Sequence, residues 1–134
     1  MEKWNINRGF KKLIVWQDAI ELYVLTNKKL TNFPFELKKT TGNCIDASHS
    51  ISRNIAEGYC RRGIKEYLNF LNFALGSSGE YHSSIFAFNK ANQISDEDFN
   101  EMDTLYFKIE NGLINLIKSL QKKMKDGTWD DSFI

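Results

Sequence analysis

Cysteine, proline and long apolar runs are scarce in this chain, and each scarcity excludes something. Cys44 and Cys60 are its only cysteines. On one helix, sixteen residues span about 24 Å at roughly 1.5 Å per residue, whereas a disulfide needs Cα atoms within about 7 Å. Both are therefore read as reduced thiols, as in a reducing compartment. Pro34 is the single proline, so long stretches carry no helix breaker. No apolar run approaches the roughly 20 residues of a membrane helix. The opening MEKWNINRGF lacks the apolar stretch of a secretory signal. The expectation is a cytoplasmic protein with no membrane partner.

Catalytic and metal-binding signatures are also missing. His49 and His82 fall on different predicted helices and form no His-x-x-x-His or Glu-x-x-His pair, which excludes the di-iron bundle pattern. There is no paired-cysteine motif, no Walker loop and no Gly-x-Gly-x-x-Gly. Gly76-Ser77-Ser78-Gly79 lies within a helical rhythm, away from any strand-to-helix elbow. Cys44 or Cys60 would meet His49 only by accident of folding. The expectation is a protein that is not an enzyme and takes no metal or cofactor.

The charge balance excludes a global pull toward nucleic acid, because the net charge is only +1. Its distribution is uneven. Residues 1–79 hold 12 Lys and Arg against 7 Asp and Glu, residues 80–110 hold 2 against 7, and the remainder hold 4 against 3. Segregation of this kind can build local patches that the sum conceals.

What is present is one domain's worth of helix. The chain has 134 residues, 42% hydrophobic, 13% aromatic and 26% charged, enough to bury a core without staples. The first helix is expected over 13–31, with Leu13, Trp16, Ile20, Tyr23 and Leu30 as its apolar stripe and Val15, Ala19 and Leu22 widening it. Asn32-Phe33-Pro34 stops it. The second is expected over 41–57, capped by Thr41 or Asn43. Its stripe, Cys44, Ala47, Ser48, Ile51 and Ile55, is small enough for close helix approach. Gly58 suits a left-handed helix stop. The third spans 64–91 and contains Gly76 and Gly79. Each glycine costs about 1 kcal/mol relative to alanine, and close helix contact is the expected compensation. The fourth spans 96–126. It opens on a capping Ser95 followed by three acids, and closes on a lysine-rich end and Asp126-Gly127. Residues 127–134 are a tail, docked through Trp129 or Phe133. Amphipathic helices with short connections imply an all-α fold, an antiparallel up-down-up-down four-helix bundle.

The residues around Ser50–Gly63 carry the functional expectation. Arg53, Arg61, Arg62 and Lys65 cluster near the end of the second helix. Arginine presents a planar, permanently charged fork that suits phosphate. Tyr59 and Tyr67 are neighbouring rings able to stack on exposed bases. The competing reading is that these are solvated helix-end charges. Asn54, Glu57 and Gly58 are assigned to the turn between the second and third helices, with Asn54 and Glu57 bonding the loop.

These stretches resemble a known family. Leu13 to Ala19 (LIVWQDA), the Phe33-Pro34 turn, Ser50-Ile51-Ser52-Arg53-Asn54-Ile55-Ala56-Glu57-Gly58 and Tyr67 to Glu80 are similar, in that order, to motifs of proteins encoded by intervening sequences in bacterial large-subunit ribosomal RNA genes. The resemblance covers about residues 10–122. It implies a left-handed antiparallel bundle and, through relatives such as the retroelement accessory variability protein, a homopentamer that binds RNA or DNA. Two departures stand out. Ile45-Asp46 occupies a place where the family tends to be basic, and Gly76-Ser77-Ser78 replaces its Gly-Ser-Leu. The leading expectation is a homo-oligomeric bundle that binds structured RNA or other nucleic acid. The alternative is a protein-interaction scaffold with a protein partner.

Overall fold

A computed structural model describes residues 9–130, and among them there is helix and turn but no strand. Four long helices follow in order: α1 (Ile14–Leu30), α2 (Lys38–Cys60), α3 (Ile64–Lys90) and α4 (Asp96–Asp126). Short 3-10 turns at Gly9–Lys12 and Phe35–Leu37 lead into α1 and α2. The packing pairs are α1·α2, α2·α3, α3·α4 and α1·α4. Each helix thus touches two neighbours, and short connections make those neighbours antiparallel.

The core is a column of side chains from all four helices. Leu22, Ile51, Ile55, Leu71, Ile85, Met102, Ile109 and Leu113 are fully buried. Burying each contributes about 1.5–3 kcal/mol. One buried polar pair interrupts the column, because the hydroxyls of Thr26 and Tyr81 lie 2.8 Å apart. Thr26 also lies 2.6 Å from the Leu22 carbonyl. Its single proton goes to that carbonyl, so Tyr81 is the donor within the pair.

α3 and α4 begin and end within a residue of expectation. Ser95 accepts a hydrogen bond from the Asp98 amide, and Gly127 closes α4 at φ +69°. Elsewhere the structure corrects the reading. The buried line of α1 is Val15, Asp18, Ala19, Leu22, Thr26 and Leu30. The stripe drawn through Trp16, Ile20 and Tyr23 lies on its flank, half-buried. Close packing is the reason: a Cβ on Gly112 of α4 would sit 3.0 Å from Val15, and a large ring does not fit facing that approach. Trp16 instead packs edge-on against Phe10 at 5.2 Å.

α2 starts earlier than Thr41. Pro34 presets the chain at φ −56°, and the Thr41 hydroxyl lies 3.1 Å from the Leu37 and Lys38 carbonyls, inside the helix. Neither Thr41 nor Asn43 is the cap. α2 also ends later than expected, at Cys60. Gly58 is buried within it, and the left-handed residue of the turn is Arg62 at φ +67°. What Gly58 provides is proximity. A Cβ there would lie 2.8 Å from Phe70 Cβ and 3.2 Å from the Tyr67 carbonyl, so α2 and α3 touch almost backbone to backbone. Ser50 and Ser77, with hydroxyls 2.7 Å apart, continue this seam. Gly76 and Gly79 do the opposite of what was expected. Both are exposed or nearly so, and a Cβ on either meets nothing within 4 Å. The inward line of α3 runs through Leu71, Ala74, Ser78 and Tyr81, which turns both glycines outward.

Candidate nucleic-acid interface

The antiparallel topology brings four chain segments to one end of the bundle: the approach to α1, the end of α2, the start of α3 and the end of α4. Lys11 and Lys12 come from the first, Arg61, Arg62 and Lys65 from the α2–α3 turn, and Lys122, Lys123 and Lys125 from the fourth. Their acidic company at this end is Glu57, Glu66, Asp126 and Asp130. Lysines more than fifty residues from Arg62 in sequence therefore share its end of the molecule, where they also complement the negative pole of the α4 dipole.

The opposite end neutralises itself. Lys29 Nζ sits 2.9 Å from both Asp98 and Glu101, and these carboxylates hold its ammonium well above the ordinary lysine range. The basic first half and the acidic 80–110 stretch are thus not separated in space. Part of each is paired across α1 and α4.

The expected phosphate-binding residues divide. Arg62 and Lys65 are exposed and have no ion-pair partner among the described residues. Arg61 is committed elsewhere. Its guanidinium binds Glu57 at 2.8 Å and Glu66 at 3.4 Å and lies 5.0 Å over the Phe70 ring. Glu57 above all keeps it more firmly protonated than an ordinary arginine. It clamps the α2–α3 turn. Arg53 stands about 12 Å up the helix from Arg61, beside Asn43, Asp46, Ser50 and Glu80, and is not brought to the basic end.

The turn residues divide too. Glu57 bridges the turn through Arg61. Asn54 does not reach the loop: its amide donates back along α2 to the Ser50 carbonyl at 2.8 Å and hydroxyl at 2.9 Å. Gly58 serves the helix seam. Tyr59 and Tyr67 are 4% and 2% exposed and meet edge to face at 5.9 Å, so they are not open stacking surfaces. Burial pushes the Tyr67 phenol above its usual range.

These tyrosines do form the floor of a cleft of about 330 Å³ at the basic end. Leu13, Leu116 and Leu120 complete the apolar lining, and Lys12, Lys123, Thr128, Trp129 and Asp130 make the rim. Trp129 docks there, donating its indole N–H to the Arg62 carbonyl at 2.8 Å, with its ring 6.0 Å from Tyr67. The tail therefore docks through Trp129, while Phe133 lies outside the described residues. Sequence reasoning took Trp129 for a tail anchor only and the α4 lysines for dipole partners. An aromatic two residues past a glycine stop was the available signal.

The cysteines and histidines lie apart from this cleft. Burial pushes the Cys44 thiol up to about 12. Cys60 is exposed and, like Cys44, free. His49 packs on Tyr23 at 4.8 Å. His82 stacks on Tyr106 at 4.2 Å, with Nε2 2.8 Å from Asp103. Among the described residues no group of three or more His, Cys, Asp or Glu could hold a metal ion, and no helix is long and apolar enough to cross a membrane.

Comparison with known proteins adds a family and a fold. A sequence model described as 23S rRNA-intervening sequence protein matches residues 11–115. The crystal structure of a protein with unknown function from the S23 ribosomal protein family of Bacteroides thetaiotaomicron VPI-5482 superposes with a TM-score of 0.70 at 24% identity, covering 78% of this chain and 96% of that one. That likeness shows the fold. No curated protein matches. Lys122, Lys123, Lys125 and Trp129 lie beyond the matched residues.

Proposed function

Because the chain belongs to the 23S rRNA-intervening sequence protein family, we propose that it is a non-enzymatic, homo-oligomeric bundle that binds structured RNA through its basic end. The observation that carries this reading is the meeting of Lys12, Arg62, Lys65 and Lys123 at one pole. An isolated helix-end charge is a solvated face. Several cations from four chain segments, with few acids among them, form a surface that tracks phosphates.

The assembly is proposed as a homopentamer by resemblance, acting in the cytoplasm. Phe73 and Phe86 are about half exposed on α3, on the two flanks of the outward side that carries Gly76 and Gly79, which meet nothing within the chain. An apolar, small-residue face of this kind supports contact between copies. Symmetry would then multiply the basic ends, and the affinity would fall steeply with salt.

The test is anisotropy of a labelled structured RNA, and of a matched DNA duplex, titrated with protein at several salt concentrations. Saturable binding that weakens linearly in log–log with salt is expected, together with loss when Lys12, Arg62, Lys65 and Lys123 are changed to glutamine. No binding at low salt overturns the proposal. The second reading, a protein-interaction scaffold, draws on the same exposed phenylalanines and on Phe107 of α4. It predicts a protein partner whose capture survives nuclease.

A further inference from the structure

We propose that the cleft beside Trp129 holds one unstacked nucleotide, with its base against the Trp129 indole and its phosphate on Lys12 and Lys123. This rests on the basic end being the RNA-binding surface and assigns that surface to RNA with unpaired nucleotides. The cleft joins three features that a solvated lysine patch lacks. Its volume, about 330 Å³, falls within the range of small-molecule sites, roughly 300–1,000 Å³. Its floor is Tyr59 and Tyr67, whose rings are almost wholly covered, and the half-buried Trp129 closes one side 6.0 Å from Tyr67, so the ring face open to an entering base is the indole's. Its rim carries both signs of charge: Lys12 and Lys123 suit a phosphate, while Asp130 is an acceptor for N–H groups on a base edge. A base is similar in size to the indole already seated at the rim. A paired base presents no free face to such walls, so duplex RNA would reach only the lysines.

The test uses full-length protein, a blunt labelled RNA duplex, the same duplex with a single-stranded overhang, and adenosine 5′-monophosphate. The overhang should tighten binding about tenfold, as expected for one stacked base. Trp129→Leu should bring the ratio of overhang to blunt-duplex affinity to one. Trp129→Phe should restore part of the preference. Lys12→Gln with Lys123→Gln, both at exposed positions, should weaken binding of the monophosphate without altering the melting temperature. Monophosphate binding that Trp129→Leu abolishes, without any overhang preference, would support the cleft with a free nucleotide as its source. Equal binding of blunt and overhang duplexes with no monophosphate binding overturns the cleft while the basic end stands. So does an overhang preference that survives Trp129→Leu. Failure of every RNA to bind overturns the basic end itself.

Discussion

Within a single chain, Gly58→Ala should destabilise the bundle, whereas alanine at Gly42, Gly76 or Gly79 should stabilise it. All four glycines lie inside helices, and in each the change to alanine favours the helical backbone by about 1 kcal/mol. The surroundings decide the sign. At Gly58 the new methyl would lie 2.8 Å from Phe70 Cβ, 3.1 Å from Tyr67 Cδ1 and 3.2 Å from the Tyr67 carbonyl oxygen. A Cβ and a backbone carbonyl are not the free ends of flexible side chains, so α2 and α3 must part. Overpacking of this kind costs about 1–3 kcal/mol, and the upper part of that range leaves a net loss of about 1–2 kcal/mol after the helix-propensity gain. At Gly42, Gly76 and Gly79 nothing lies within 4 Å, so the propensity gain stands alone. For a domain of this size each kcal/mol moves the melting temperature by about 3–5 °C. The assay is circular-dichroism melting with urea titration, all variants at one protein concentration, because assembly makes stability concentration-dependent. If Gly58→Ala melts with or above Gly76→Ala, the close-approach account of the seam is wrong. If Gly42→Ala destabilises, the propensity account is wrong; a loss confined to Gly76→Ala or Gly79→Ala that grows with protein concentration would mark the proposed contact between copies.

Thr26→Val should cost more than Tyr81→Phe. The first strands a buried tyrosine hydroxyl, at about 1–3 kcal/mol, while the second removes one hydrogen bond worth about 1 kcal/mol; equal losses in urea titrations would refute the assigned donor. Native protein should expose one thiol per chain to an aromatic disulfide reagent, namely Cys60, because Cys44 is buried; rapid reaction of both would place Cys44 at the surface. Alkaline pH should loosen the fold. The Cys44 thiol is raised from 9.0 to about 12, so above pH 9 the unfolded chain sheds a proton that the folded chain retains, and stability falls toward pH 12. Burial acts in the same direction on Tyr81; a flat melting temperature from pH 7 to 11 would contradict this. Lys123→Gln and Arg62→Gln should each reduce the salt slope of RNA binding by up to about 0.9, and Arg61→Gln should reduce it less, since Glu57 and Glu66 already hold that guanidinium.

Local chemistry is legible in the chain. The Ser95 cap, the acids after it, the Gly127 stop and the 3.6-residue rhythm give α3 and α4 to within a residue, because each signal acts through hydrogen bonds among neighbours in sequence. The small stripe of α2 correctly announced a close helix neighbour. What neighbours in sequence do not determine is direction and company. Two stripes can be drawn on α1, and only the approach of Gly112 to Val15 selects the narrower one. Gly58, Gly76 and Gly79 look alike in sequence. One is pressed against Phe70 and two face outward, because the side of a helix that meets a partner is set by the packing of the whole bundle. The site follows the same division. Arg62 and Lys65 were visible in one stretch, but Lys12, Lys123 and Trp129 joined them only through the antiparallel order of the helices. That order folds charges from distant parts of a nearly neutral chain onto one pole and leaves an aromatic cleft between them.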